Sequence, residues 1–274
     1  MIHRTFFQLP PSLLPPLPAP ETAGAPEPVQ PGMMLPPDVK LETPTTMKTE
    51  IAFILDRSGS MESMTRAAIA GYNEFLAAQQ ATVDDHGQPI PATFTLILFD
   101  HEYLPIHHRE DIQTARPLTL ETYVPRGSTA LLDAIGRTID DLGAELAATP
   151  EADRPSKVII AILTDGEENA SERYSMADIN RRITHQTGKY SWEFLFLGAN
   201  QDAIATAAHL GIQAHQAATF VANEDDMAAG SDAFARKISA SRRSAFKCVL
   251  AQEEAATLHE SMSESIEKSR KEKK

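Results

Sequence analysis

A chain of 274 residues with 42% hydrophobic content has room for one large α/β domain with extra segments, or for two small ones. Its net charge of −13 argues against general affinity for nucleic acid or anionic membranes, since both rest on phosphate neutralisation by Lys and Arg. The single cysteine, Cys248, excludes an intrachain disulfide and a cysteine zinc cluster and fits a reducing compartment; it reads as a small buried apolar residue.

No stretch approaches the roughly 20 apolar residues of a membrane span. Prolines from Pro10 onward interrupt any signal-peptide core, so the expected location is the cytoplasm. Residues 1–47 hold twelve of the 19 prolines and are expected to form a disordered or polyproline-like arm whose deletion leaves the rest of the chain stable. Met47 is an alternative start.

From there strands and helices alternate, which predicts βαβ units around a mainly parallel sheet. A strand at 50–55 leads to a helix at 62–82, with Ala68, Tyr72, Phe75 and Leu76 at helical spacing. The strand 92–99 is joined to 103–106 by so short a connection that the two make a hairpin, which places one antiparallel strand at the sheet edge. A helix at 130–147 precedes Lys157–Leu163, whose unbroken apolar run marks a central strand covered on both faces. A helix at 175–187, ending at Gly188, a strand at 192–197, a helix reaching 209 and a weak strand at 213–220 follow. Asn223 and Asp226 have the spacing of a capping box. Beyond 244, Phe246, Leu250, Leu258, Met262 and Ile266 predict one amphipathic C-terminal helix, packed on the domain or on a partner, whose charged end frays. The expected organisation is an arm over 1–47, a domain over 48–243 and a helix over 244–274.

The chemistry sits at strand ends. Asp56-Arg57-Ser58-Gly59-Ser60 follows Ile51–Leu55 directly, and its alternate oxygen-bearing side chains on a strand-to-helix loop can turn toward one point. Gly127-Ser128-Thr129 precedes the second helix, and Asp165-Gly166 follows the central strand. In an open α/β sheet, ligands gather beyond the carboxyl ends of strands at the point where strand order reverses. Carboxylate and hydroxyl oxygens suit a hard cation.

Asp56-x-Ser58-x-Ser60, then Thr129, then Asp165 within Thr-Asp-Gly resembles the metal-ion-dependent adhesion site of von Willebrand factor A domains. The resemblance covers about residues 48–240. It implies a Rossmann-like, doubly wound, mainly parallel sheet with helices on both faces, and a Mg²⁺ or Mn²⁺ ion bound by the Ser58, Ser60 and Thr129 hydroxyls. Asp56 and Asp165 would act on the ion directly or through water. It further implies a protein partner that supplies a Glu or Asp carboxylate; by family analogy that partner is in some cases an AAA+ ATPase. The expected function is therefore a metal-dependent binding or adaptor module, not an enzyme.

Two other readings compete with it. An Mg²⁺-dependent phosphotransferase or hydrolase also begins with Asp after its first strand, but such enzymes need a second carboxylate where this chain has Ser58. No nucleophile elbow, Walker A loop or dinucleotide fingerprint is present. The third reading is a structural component of a larger assembly. Around the motif, Arg57 reads as a solvent-facing spacer, Asp133 as a helix residue bonding loop backbone, Glu167 to Asn169 as a solvated loop, and His101, His107 and His108 as surface residues.

Overall fold

The computed structural model describes residues 47–199 and 202–272. The expected N-terminal arm lies outside them, apart from Met47. The strands are β1 (Thr49–Asp56), β2 (Ala92–Phe99), β3 (Tyr103–Asp111), β4 (Lys157–Thr164), β5 (Glu193–Ala199) and β6 (Ala217–Phe220). They form one six-stranded sheet in the order β3-β2-β1-β4-β5-β6, and only β3, at the edge, is antiparallel to its neighbour. The order reverses between β1 and β4. Asp56 and Asp165 therefore stand at the ends of the two strands that flank the switch point.

Alternation along β1 divides the core. Ile51, Phe53 and Leu55 face α1 (Thr65–Gln80) and α5 (Glu224–Ala245), and the four apolar positions expected of the first helix, Ala68, Tyr72, Phe75 and Leu76, are buried there. Ala52 and Ile54 face α2 (Leu131–Ala148), α3 (Met176–Tyr190) and α4 (Ala203–Leu210). All eight residues of β1 are buried, which is why it and β4 read as apolar runs without alternation.

Several elements depart from expectation, each for a local reason. The first helix starts late, because Gly59–Met64 winds as a 3₁₀ turn that buries Met61 and Met64. The third runs through Gly188 and stops where Ser191 turns left-handed (φ 56°), which lets Trp192 fold back to bond the Gln186 carbonyl. β3 is longer than expected and irregular: Arg109 adopts φ 45°, and its guanidinium reaches the buried carboxylate of Glu50 at 3.0 Å. His107, expected on the surface, is 4% exposed; its ring bonds the Arg116 carbonyl and pairs with Glu110. Cys248 is only half-buried.

The C-terminal region differs most. α5 runs past 243 and belongs to the domain, since Phe234 and Ile238 are core residues. Lys247 then turns left-handed (φ 61°), and two short helices follow, α6 (Gln252–His259) and α7 (Met262–Glu272), in place of one. Ser261 and Glu264 cap α7 reciprocally, a signal that stands in the sequence as Ser-x-x-Glu. Met262 and Ile266 lie in the main core cluster, so their apolar face is covered by this domain. The charged end does not fray before Glu272.

Asp226 explains part of that. Asn223 accepts from the Asp226 N–H as expected, but the Asp226 carboxylate does not return to Asn223; it receives Arg270 of α7 in two bonds of 2.8 and 2.6 Å and the Val221 N–H. Arg270 beside it holds the Asp226 carboxyl below the usual carboxylate range. Such a group stabilises the fold above its unfolded pKa of about 3.9 and loses that contribution as pH falls through its lower folded value. With Arg270 partly exposed, the pair contributes on the order of 1 kcal/mol. Asp226→Asn is therefore expected to lower stability at pH 7 by about that amount and to narrow the gap from wild type below about pH 4. Denaturant titrations at the two pH values check this; a gap independent of pH would show that the pair contributes nothing.

Candidate metal-binding site

The loops beyond β1 and β4 meet the loop before α2. The β1 loop is set first by Asp56, which is fully buried, contrary to what a strand-end position suggests. Its Oδ1 accepts the Ser58 N–H at 2.6 Å, an Asx turn, and its Oδ2 accepts the Thr164 hydroxyl at 2.5 Å. Its backbone carbonyl accepts the hydroxyl of the buried Tyr123 at 2.6 Å. The Asx turn aims Ser58 and Ser60 along one direction: their Oγ atoms lie 3.1 Å apart, and Ser60 Oγ donates to Asp165 Oδ1 at 2.8 Å.

Thr129 completes the group. Its N–H donates to Asn169 Oδ1 at 2.9 Å, and its carbonyl accepts the Asn169 and Ala170 N–H groups, which ties the loop before α2 to the loop after β4. Gly166 marks the centre. A Cβ placed there would stand 3.0 Å from Thr129 Oγ1, 3.5 Å from Ser60 Oγ and 3.7 Å from Ser58 Oγ. Asp56, Ser58, Ser60, Thr129 and Asp165, drawn from three loops, are thus brought together beside Gly166.

Burial pushes the Asp56 carboxyl up to about 6, against its bonds from Thr164 and Ser58. Burial also raises Asp165, opposed by the Ser60 hydroxyl. Among the described residues neither carboxylate is in an ion pair with Lys, Arg or His. Three neutral hydroxyls and two carboxylates without a basic partner are a donor set that fits a hard divalent cation of six-fold oxygen preference. The residues present therefore fit the expected ion.

Other residues around the motif have structural work. Arg57, expected in solvent, is buried and pairs with Asp100 at 3.1 Å. Asp100 is fully buried and also receives Arg126 Nε at 3.0 Å, while its backbone carbonyl accepts the Ala130 N–H at 2.9 Å. It joins the loops after β1 and β2 to the loop that carries Thr129, a role sequence reading missed. A signal was available: β1 and β2 pair in parallel with Asp56 opposite Phe99, so Arg57 and Asp100 stand level, each just past an apolar strand. Asp133 binds loop backbone as expected, accepting the N–H groups of Glu172, Arg173 and Tyr174. Glu168 is no solvated spectator, since it accepts from Leu132 N at the start of α2 and from Ser171.

No model of a known protein family matches the chain, and no curated protein matches it. Solved structures do. The pilus adhesin SpaC from Lactobacillus rhamnosus GG superposes with a TM-score of 0.52 at 14% identity, over 72% of this chain and 31% of that one. A von Willebrand factor type A structure from Catenulispora acidiphila gives 0.46 at 17%, over 72% and 43%. Proximal thread matrix protein 1 from the mussel byssus, solved with zinc in its MIDAS motif, gives 0.47 at 12%, over 67% and 46%. The chain spans less than half the length of each. At these identities the likeness is one of fold. With the sheet order described above, it gives the protein a Rossmann-like, doubly wound fold of the kind found in that adhesin.

Gly166 gives a direct test of the site. It is not among the glycines of positive φ, but a Cβ there already stands 3.0 Å from Thr129 Oγ1, closer than ordinary contact, so a side chain at 166 displaces that hydroxyl. Gly166→Ala is expected to lower Mg²⁺ affinity at least about tenfold, with a stability loss on the order of 1 kcal/mol from the tight contact. Titration calorimetry and thermal melting separate the two effects, and unchanged affinity would show that the cation does not sit among these hydroxyls.

Proposed function

We propose that the protein is a metal-dependent protein-binding module. Asp56, Ser58, Ser60, Thr129 and Asp165 hold a Mg²⁺ or Mn²⁺ ion, and a Glu or Asp of a protein partner completes its coordination. The observation that carries this reading is the convergence of three hydroxyls and two carboxylates without a basic partner around Gly166. When bound, the ion supplies a positive centre that neutral hydroxyls leave under-neutralised and that attracts an outside carboxylate. The protein's own part is to fix the hydroxyls in direction, through the Asp56 Asx turn and the Asn169 tie to Thr129, and to keep Arg57 away from the carboxylates by pairing it with Asp100.

A non-enzymatic role agrees with the same geometry. Two residues beyond Asp56, where a phosphotransferase of this kind carries its second carboxylate, the chain has Ser58. A cytoplasmic setting accords with the lone cysteine, and no described helix is long and apolar enough to cross a membrane. An AAA+ ATPase is the first partner class to test.

The experiment is capture of partners by the immobilised full-length protein in Mg²⁺, in Mn²⁺ and in EDTA, alongside a phosphatase screen. Capture that requires the metal, without turnover, is the expected result. Metal-independent capture, or metal-dependent hydrolysis abolished by Asp56→Asn, would overturn it.

A further inference from the structure

At the other end of the sheet from the hydroxyl cluster, beside the first residues of β4, α2 and α3 line an open-sided cavity of about 510 Å³. Its floor is apolar: Ile139 and Leu146 of α2, Val158 of β4 and Trp192 ahead of β5 are each at most 8% exposed. Tyr190 on its wall is 53% exposed, one of the few large apolar side chains the fold leaves in solvent. The volume is within the range of small-molecule sites, roughly 300–1,000 Å³.

Two polar features of the wall point to a ligand. Nε2 of Gln186 lies on the wall, 3.6 Å from where a Cβ on Gly143 would stand, and offers its N–H groups there. Arg154 spends its guanidinium on the Thr149 and Ala147 carbonyls at 2.9 and 3.1 Å and, among the described residues, meets no carboxylate, in a chain of net charge −13. The other charges of the wall are already answered, Asp140 by Arg182 and Lys157 by Glu193. What stands open is therefore an apolar floor, one amide and one cation.

We propose that this cavity is a binding site for a small amphipathic anion, a flat aryl body seated on the floor with Trp192 and Leu146 and a carboxylate or sulfonate held by Arg154 and Gln186. It is separate from the metal site and requires no cation.

Trp192 is the only tryptophan of the chain and lines the cavity, so energy transfer has a single donor placed beside the proposed site. The probe is 8-anilinonaphthalene-1-sulfonate, added to the full-length protein while energy transfer from the indole is recorded. Saturable transfer with one probe per chain, unaffected by EDTA, is expected, with Kd on the order of 10 µM. Gly143 of α2 is half-buried on the cavity wall, and a Cβ there meets only Gln186 Nε2 at an ordinary 3.6 Å, so Gly143→Leu should fold. Its isobutyl group occupies the cavity and should weaken binding at least tenfold. Arg154→Gln should weaken it about threefold to fivefold through loss of the cation, with Tm close to wild type. Absence of saturable transfer, or an affinity unchanged in Gly143→Leu, would overturn the assignment.

Discussion

Asp56→Asn is expected to lower Mg²⁺ affinity by a factor of ten to a hundred and to abolish metal-dependent partner capture, while circular dichroism stays native. A tenfold loss corresponds to about 1.4 kcal/mol, modest for removing one of two anionic groups from a divalent site. Asn is the informative substitution because Asp56 is fully buried and accepts bonds from Ser58 N and Thr164 Oγ1. The Asn oxygen can keep one of these, whereas Ala would leave both donors unpaired inside the protein at a cost of about 1–3 kcal/mol each. Burial disfavours the Asp56 charge, so the metal-free Asn protein should be no less stable than wild type. Thr129→Ala, which removes a neutral ligand and leaves both carboxylates, should reduce affinity less. Equal capture by folded Asp56→Asn protein and wild type, in Mg²⁺ and in EDTA alike, would sink the metal-bridged mechanism.

The strands and the site were legible because each wrote its own local signal. β1 and β4 are apolar runs ended by oxygen-bearing residues, and the ends of adjacent parallel strands meet in space whatever lies between them in sequence. The residues that hold the loops in register were not legible, because their meaning depends on which strands are neighbours. Arg57 looks like a spacer until β2 is placed beside β1 and Asp100 comes level with it. His107 looks like one of three surface histidines until the register shift of β3 between Pro105 and His107 sets it against Phe94. At the C-terminus, apolar residues four apart gave the right face and the wrong continuity. Periodicity reports which residues face inward, while breaks are set by single backbone conformations such as Lys247 and by caps such as Ser261–Glu264.

That difference determines what truncating the chain should do. Read as a free amphipathic helix, the segment beyond 244 would be removable with loss of partner binding or self-association only. In the structure α7 supplies Met262 at 0% and Ile266 at 1% exposure to the core that also contains Phe220, Phe234 and Ile238. Arg270 pairs with Asp226, Arg236 of α5 donates to the Ser265 carbonyl, and buried Lys237 caps the end of α6 through the Thr257 and Glu260 carbonyls. Ile266→Ala alone should cost about 2–4 kcal/mol, the range for emptying a buried aliphatic position. Ending the chain at Glu260 removes both core side chains, leaves Asp226 without Arg270, and takes the Ser265 carbonyl and Glu272 from Arg236. It should take most of the roughly 5–15 kcal/mol that holds a domain of ordinary stability. The truncated protein is expected to be aggregation-prone and to melt at least 15 °C lower, and it should lose Mg²⁺ binding only as a consequence of unfolding. Denaturant titration of Ile266→Ala and melting of the truncated chain measure both effects. A truncated protein with wild-type Tm and unchanged Mg²⁺ affinity would mean that α7 docks without contributing to the fold, and that its apolar face is available to a partner after all.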